Sequence, residues 1–176
     1  MTHVGRVLSF DTGAKRMGWS VLDKGPLWVA SGIMGLEKSE GQTFQEYRLD
    51  LIRYWVNETP TLLETYKPTS VANETIPLIG GGSAAMQSVL AASAITTVQT
   101  ICFIYGVPVE QIAAVTVKAR IGRVKTATKP RVRDGVISLL PELASRKSDW
   151  TKADTFDEPD AIGVGLVALG YRAAKD

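Results

Sequence analysis

The sequence predicts an α/β fold in which one mixed sheet of five strands is flanked by helices. Two observations carry this prediction. Residues 4–34 contain three short runs rich in β-branched and aromatic residues, separated by turns with Gly and Pro, which is typical of antiparallel strands. Strand-like and helix-like runs then alternate, which is typical of parallel strands joined by helices. A length of 176 residues suits a single domain over 1–176.

The three antiparallel strands are predicted first. The run VLSF makes 4–11 a buried strand, since a short apolar run bounded by turn residues is typical of one. The turns TGAKRMG and KGP lead to the next strands, at 18–23 and 27–34. These strands form the antiparallel half of the predicted sheet.

Helices and strands alternate in the rest of the chain. From Thr43 to about Tyr66, aromatic and aliphatic residues recur at spacings of three and four, which predicts a helix. A short strand at 67–74 and a long apolar helix at about 84–105 follow, and 109–115 is the fifth strand. The last predicted elements are a basic stretch, a helix at 129–140, a polar connection at 144–155 and a terminal helix within 156–171.

Composition limits the possible chemistry. Hydrophobic residues make up 45% of the chain and charged residues 22%, which are ordinary globular values, and the net charge is only +2. The single cysteine, Cys102, is predicted to be a buried core thiol and excludes an internal disulfide or a Cys-rich zinc site. The only histidine, His3, precedes the first strand. Metal chemistry would therefore use carboxylates, which favours magnesium or manganese over zinc.

The apolar segments predict no membrane contact. The N-terminus lacks the cationic-then-apolar pattern of a secretory leader. The apolar stretch 89–107 approaches spanning length, but Ser, Thr and Gln occur throughout it, which predicts a buried helix. A single cysteine fits a reducing cytosol. We therefore expect a cytoplasmic location, in a bacterial or a virus-infected cell.

Four carboxylates occur where a sheet could bring them together. Asp11 and Glu74 each close a strand, and Asp157 and Asp160, three residues apart, open the terminal helix. Clustered carboxylates repel one another and require cations, which Mg²⁺ supplies with its preference for oxygen ligands. Two such ions about 3.5–4 Å apart activate water and stabilise the leaving oxygen in phosphodiester cleavage. Glu158 is interpreted as only a helix-start acid.

Each acid also has a purely structural interpretation. Asp11 before Thr-Gly is typical of an Asx turn, and Glu74 could be a solvated strand end. Asp157 could be an N-cap, with Pro159 at the first helical position and Asp160 stabilised by the helix dipole. The hypothesis of a metal centre depends on all four acids occurring in this order.

The stretch LSFDTGAKRMGWSVLD at 8–23 resembles the first hairpin of the RuvC-type Holliday-junction resolvases, which belong to the RNase H-like nuclease superfamily. The family pattern is a strand, an Asp, a Gly two residues on, and a Gly-aromatic pair that starts the second strand. The matching residues here are Asp11, Gly13, Gly18 and Trp19.

The later family motifs also have counterparts. The Glu that ends the fourth strand is matched by Glu74, in VANE. At the head of its final helix the family has an acid, two further residues and then Asp-Ala. Asp157 and Asp160 match the two acids of this pattern. Family lysines after the fifth strand and at the start of the next helix fall on Lys118 and Lys129. The order and spacing of the elements agree from about residue 4 to residue 171.

The chain departs from the family at two places. Thr12 stands where the family usually has Pro. The aromatic that usually follows the second acid, and is thought to wedge into the junction, is missing after Glu74; Leu78 or Ile79 is the nearest apolar substitute.

The resemblance implies an RNase H-like nuclease that cuts four-way or other branched DNA with two Mg²⁺ ions per site, Mn²⁺ being able to substitute. It implies a homodimer, because a resolvase makes paired nicks across the junction. It assigns metal binding to the four acids and a catalytic role to those acids and two lysines, namely Asp11, Glu74, Asp157, Asp160, Lys118 and Lys129.

A basic segment lies between the fifth strand and the acidic terminal helix. It contains seven cationic residues and no acid, and we predict that it contacts DNA phosphates. These residues are Lys118, Arg120, Arg123, Lys125, Lys129, Arg131 and Arg133. A solvated loop is the alternative interpretation, since charged runs usually are solvated.

Other functions remain as alternatives. The Gly-rich loop 79–83 lacks the pattern of a P-loop, so no nucleotide cofactor is expected. A sugar-kinase or actin-like ATP-binding fold shares the Asp-x-Gly hairpin but needs a second large domain, for which 176 residues leave no room. An RNase H-like nuclease for RNA–DNA hybrids or other branched DNA, and a non-catalytic DNA-binding module of the same fold, are the remaining candidates.

Overall fold

The computed structural model describes residues 5–75, 82–152 and 155–174, with the side chains of the helix that begins at Gly82 described from residue 85. The predicted mixed sheet of five strands is confirmed. The strands are β1 (Val7–Thr12), β2 (Arg16–Asp23), β3 (Leu27–Gly35), β4 (Ser70–Thr75) and β5 (Val109–Ala113). The helices are α1 (Phe44–Tyr66), α2 (Gly82–Ile104), α3 (Ala114–Arg120), α4 (Lys129–Leu139), α5 (Asp157–Ala168) and one 3₁₀ helix (Pro141–Ser148).

The strand order is β3-β2-β1-β4-β5. The first three strands pair antiparallel, whereas β1 with β4 and β4 with β5 pair parallel. Phe10 lies opposite Asn73 in the β1–β4 pair. Since parallel strands run in step, the next residues, Asp11 and Glu74, emerge side by side at the carboxyl end of the sheet.

The two faces of the sheet carry separate cores. Side chains of a strand alternate between faces, so Leu8 and Phe10 of β1 pack against α1 and α2, and Val7 packs on the opposite face. The opposite core contains residues of α3, α4 and α5, among them Val117, Val136 and Ile162. Asp11 is four residues after Val7 in the same strand, so its side chain faces the same side of the sheet, towards the layer that contains α5.

Three details of the sequence interpretation differ from the structure. The strand predicted at 109–115 ends at Ala113, and the start of the basic segment, for which a solvated loop was the alternative interpretation, lies in α3. The polar connection at 144–155 begins inside the 3₁₀ helix, which Pro141 starts and the buried Leu143 fixes in the core. The terminal helix has Phe156 as its N-cap residue, so Asp157 is not the cap and Pro159 is not the first helical residue.

The prediction that α2 is a buried helix is confirmed for only one side of the helix. Cys102 is fully buried, and burial raises the pKa of its thiol to about 11, as expected of a core cysteine. The opposite side of α2 is open, with Phe103 85% and Ile104 72% exposed. By length and composition alone, residues 85–104 could also cross a membrane, a criterion that the core helix of a soluble protein meets equally well.

Several features of the sequence lie outside the described residues. These are His3 and the nearest apolar substitutes for the missing wedge, Leu78 and Ile79. The end of the predicted Gly-rich loop is described in part, because α2 already begins at Gly82.

Candidate metal centre

The parallel pairing of β1 with β4 brings two of the predicted acids together. The carboxyl groups of Asp11 and Glu74 lie close enough for each to shift the pKa of the other. Thr12, at the position where a Pro was expected, donates from Oγ1 to the backbone carbonyl of Glu74 at 3.3 Å and so ties the two strand ends together. Asp11 is buried, so its carboxyl lies inside the cleft rather than in an exposed turn.

The first turns of α5 are fixed on the same face of the sheet. The hydroxyls of Ser9 and Ser20 donate to the carbonyl of Ala161 at 2.8 and 3.3 Å. Gly18 of β2 contacts the backbone carbonyl of Asp157, and there is no room there for a Cβ. Gly18 also lies opposite Asp11 in the sheet. The head of α5 is thereby pressed against the strand beside Asp11.

This packing gathers the acids into one cluster. Asp11, Asp157 and Asp160 each present a carboxylate oxygen, and these oxygens lie within 4.8 Å of one another. Glu74 lines the same cleft as Asp11 and Asp160. A donor set made only of carboxylate oxygens suits Mg²⁺ or Mn²⁺ and is unlike the nitrogen and sulfur sets typical of zinc.

Both predicted catalytic lysines are at the same site. The ammonium of Lys129, in the first turn of α4, is 3.1 Å from Oδ1 of Asp157 and 3.0 Å from Oδ2 of Asp160. Lys118, on α3, lines the same cleft of about 250 Å³ as Asp11, Glu74 and Lys129. The structure thus brings all six predicted residues to one place.

Burial of the acids in the cleft favours their protonated forms. Burial, followed by the charges of Glu74 and Asp160, raises the pKa of Asp11 well above its usual range. Burial also raises the pKa of Glu74, although Asp11 and both lysines oppose this. Burial raises the pKa of Asp160 to about 6 against the opposing effect of Lys129. A divalent cation would replace these protons, because it compensates the same negative charge.

These shifts predict a pH dependence of stability. A carboxyl whose pKa is higher in the folded state stabilises the fold at low pH, and that stabilisation is lost as the pH rises through the folded pKa. For Asp160 the rise from 3.8 to about 6 corresponds to about 3 kcal/mol. Without metal, Asp160→Asn should therefore become more stable relative to the unsubstituted protein as the pH rises from about 4 to about 7. Urea unfolding at several pH values measures this difference, and parallel profiles would contradict the assignment.

The remaining cations of the basic segment are distributed over three elements. Arg120 lies on α3, Arg123 and Lys125 in the loop that follows, and Arg131 on α4. Lys125 and Arg131 are exposed, and both are within two residues in sequence of residues that line the cleft, Ala127 and Lys129.

Arg133 differs from the rest of the segment. Its side chain is only 12% exposed, donates from Nη1 to the carbonyl of Trp150 at 3.1 Å, and places its guanidinium 5.8 Å from the centre of the Phe156 ring. These contacts commit the guanidinium to the segment that leads into α5, so its placement supports a role in the fold more than phosphate binding.

Glu158 was not predicted to do more than start a helix, and this interpretation was wrong. Its side chain is buried, and four donors contact its carboxylate: Ser31 Oγ at 2.7 Å, Arg146 Nη1 at 2.7 Å and Nη2 at 3.1 Å, and Trp150 Nε1 at 2.9 Å. The partners come from β3 and from the region predicted to be a polar connection. Ser31 is 127 residues away, and Arg146 and Trp150 are 12 and 8 residues away but outside α5, so no helical spacing indicated these contacts.

The sheet order and the flanking helices have the RNase H-like fold predicted from the sequence. No protein-family model matches the chain. The chain is 27% identical over 173 residues to a crossover junction endodeoxyribonuclease RuvC from Gluconobacter oxydans, a match that covers 96% of this chain and 92% of that protein.

Solved structures agree with this similarity. RuvC from Thermus thermophilus in complex with a Holliday junction substrate superimposes with a TM-score of 0.68 at 17% identity, over 92% of this chain and 90% of that one. The yeast mitochondrial Holliday junction resolvase gives a TM-score of 0.67 at 13% identity, over 97% of this chain and 79% of that one. The resemblance to the RuvC-type resolvases is confirmed, and the fold is theirs.

Proposed function

We propose that this chain is a divalent-metal-dependent endonuclease that resolves four-way DNA junctions. The observation that carries the proposal is the convergence of Asp11, Asp157 and Asp160 within 4.8 Å in a cleft that also contains two lysines. The similarity to RuvC along nearly the whole chain supports the choice of substrate. Mg²⁺ is the proposed cofactor, with Mn²⁺ as a substitute, and a cytoplasmic location follows from the reducing environment that a single free cysteine favours.

The residues of the cleft have distinct parts in this reaction. Asp11, Glu74, Asp157 and Asp160 would hold two metal ions. When bound, such ions lower the pKa of a water molecule and stabilise the charge of the leaving oxygen. Water adds to phosphorus as the bond to the 3′ oxygen breaks, which leaves a 5′-phosphate and a 3′-hydroxyl.

The cationic side chains in and near the cleft would bind the DNA backbone. Lys118 and Lys129 provide ammonium groups that can pair with the scissile phosphate, and the exposed cations nearby can bind the flanking backbone. Phosphate contacts of this kind position the strand without reading its bases, so the recognition rests on the shape of the junction.

The test compares four-way junctions, flaps and RNA–DNA hybrids, each titrated with Mg²⁺. We expect symmetric nicks in the four-way junction, dependent on the metal. Preferential cleavage of hybrids or flaps would support the alternative nuclease. Binding of the junction without cleavage of any substrate at any metal concentration would support the non-catalytic module.

We also propose that the chain acts as a homodimer. The support is the open side of α2, where Met86, Val89, Phe103 and Ile104 are exposed, and a groove of about 560 Å³ between α1 and α2 with largely aliphatic walls. Exposed apolar surface of this kind marks an interaction site in a soluble protein, and a second copy would bury it about a two-fold axis.

Charge placed in this groove should separate the copies. Val89→Arg puts a cation on the exposed apolar side of α2, far from the acids on the opposite face of the sheet. We expect a dimer for the unsubstituted protein and a folded monomer for the variant, measured by light scattering during size-exclusion chromatography. A monomeric unsubstituted protein at micromolar concentration would contradict the proposal.

A further inference from the structure

The carboxylate of Glu158 points away from the metal centre, although its neighbour in sequence belongs to that centre. It is buried to 5% exposure between β3, the 3₁₀ helix and the segment after it. Its four donors occupy both oxygens: Ser31 and Nη1 of Arg146 contact Oε1, and Nη2 of Arg146 and Trp150 contact Oε2. A carboxylate with two donors on each oxygen is held in one orientation.

The donors are themselves fixed. The guanidinium of Arg146 lies over two indole rings, 5.8 Å from the centre of Trp28 and 5.4 Å from that of Trp150. Trp28 donates from its indole to Ser31 Oγ at 2.9 Å, which completes a closed network. The network joins the edge strand β3, from the first part of the chain, to the 3₁₀ helix and the head of α5 near its end.

This network acts on the turn that carries the metal ligands. In the sequence, Asp157 stands between Phe156 and Glu158, and the Phe156 ring packs under the Arg133 guanidinium. The backbone carbonyl of Asp157 contacts Gly18 of β2. The first turn of α5 is therefore held from one side by the sheet and from the other by the Glu158 network, and its acids have little freedom to move relative to Asp11.

We propose that Glu158 is a positioning residue for the metal centre: anchored by Arg146, Ser31 and Trp150, it holds Asp157 and Asp160 at the separation from Asp11 that a divalent cation requires. This inference rests on the proposed function, since it assumes that the acids bind metal. Outer partners that orient metal ligands typically contribute about 10–100-fold to metal affinity. Glu158 would do so through the backbone of α5 instead of through a direct hydrogen bond.

The test measures Mn²⁺ binding to the DNA-free protein by calorimetry, so that it does not depend on cleavage. We expect Glu158→Ala to weaken Mn²⁺ binding by about tenfold or more. Glu158→Gln keeps the size and one acceptor oxygen but turns its amide nitrogen towards two of the four donors, so it should weaken Mn²⁺ binding less than Glu158→Ala without restoring it fully. Trp150→Phe removes a single donor and leaves the carboxylate in place, so it should weaken Mn²⁺ binding by a smaller factor than Glu158→Ala.

Leu63→Ala is the matched control for a loss of stability alone. Leu63 is buried on α1, in the core on the opposite face of the sheet, so its truncation should lower the melting temperature and leave Mn²⁺ affinity unchanged. The proposal is overturned if Glu158→Ala lowers the melting temperature as Leu63→Ala does but binds Mn²⁺ like the unsubstituted protein. If Glu158→Ala does not fold, unchanged affinity in Trp150→Phe overturns it equally. Failure of the unsubstituted protein to bind Mn²⁺ would instead refute the proposed metal centre.

Discussion

Asp11→Asn should abolish junction cleavage while the protein continues to bind the junction and becomes more stable. Asp11 belongs to the acidic cluster with both acids of α5 and lines the same cleft as Glu74. The amide has the same shape but lacks the charge that holds a divalent cation. Metal catalysis contributes several kcal/mol to the transition state, and each 1.36 kcal/mol is a factor of ten, so cleavage should fall by about 10³-fold or more.

The gain in stability comes from the same burial. In the metal-free protein at neutral pH, ionising a carboxyl whose pKa is raised well above its usual range costs free energy that an amide does not require. The variant should therefore unfold at a higher temperature than the unsubstituted protein without metal, and Mg²⁺ should stabilise it less. Cleavage of a labelled junction, its gel-shift affinity and thermal unfolding measure the three effects separately.

A surface acid provides the matched control. Glu37 is 84% exposed at its side chain, so Glu37→Gln changes the net charge by the same amount away from the cleft. It should leave both cleavage and the response to Mg²⁺ unchanged. Retained cleavage in Asp11→Asn would show that Asp11 is not required for metal binding. Loss of junction binding in that variant would show that Asp11 is needed for DNA binding instead.

The sequence was informative where function and local pattern coincide. Asp11 and Glu74 could be placed at neighbouring strand ends because an apolar run followed by an acid marks the end of a strand, and parallel pairing then aligns such ends. The spacing of Asp157 and Asp160 placed both on one helical turn. Lys129 could be assigned to the cleft only through the family resemblance, since a lysine at a helix start has no distinctive local signal.

The sequence was uninformative where distant segments meet. Glu158 stands in the same acidic turn as Asp157, and nothing local shows that one side chain turns to the metal centre and the other to Arg146 and Trp150. The exposed side of α2 was missed for a related reason. A helix that is apolar all round has no periodicity to show which side remains uncovered, so burial was inferred from composition alone.

Gly18 shows how a motif residue without a side chain can control the centre. It is the glycine of the Gly-aromatic pair in the second strand, and it contacts the carbonyl of Asp157 while lying opposite Asp11. A β-carbon at Gly18 would overlap that carbonyl, which cannot rotate away because it belongs to the helix backbone. Gly18→Ala should therefore push the head of α5 away from β1 and separate the acids that we propose bind metal.

The expected effect on catalysis is larger than the effect on folding. Overpacking of this kind typically costs about 1–3 kcal/mol of stability, whereas a displacement of about 1 Å at a catalytic centre can cost about 10²-fold in rate. Gly32→Ala is the matched control, because a β-carbon at Gly32 of β3 meets only the edge of the Trp19 ring, at 3.1 Å, and no part of α5 is among its nearest contacts. If both variants lose stability but only Gly18→Ala loses Mn²⁺ binding and junction cleavage, position 18 requires glycine because α5 approaches β2 closely there. Equal loss of cleavage in both would mean that the sheet as a whole, and not this contact, sets the distance between Asp11 and Asp157.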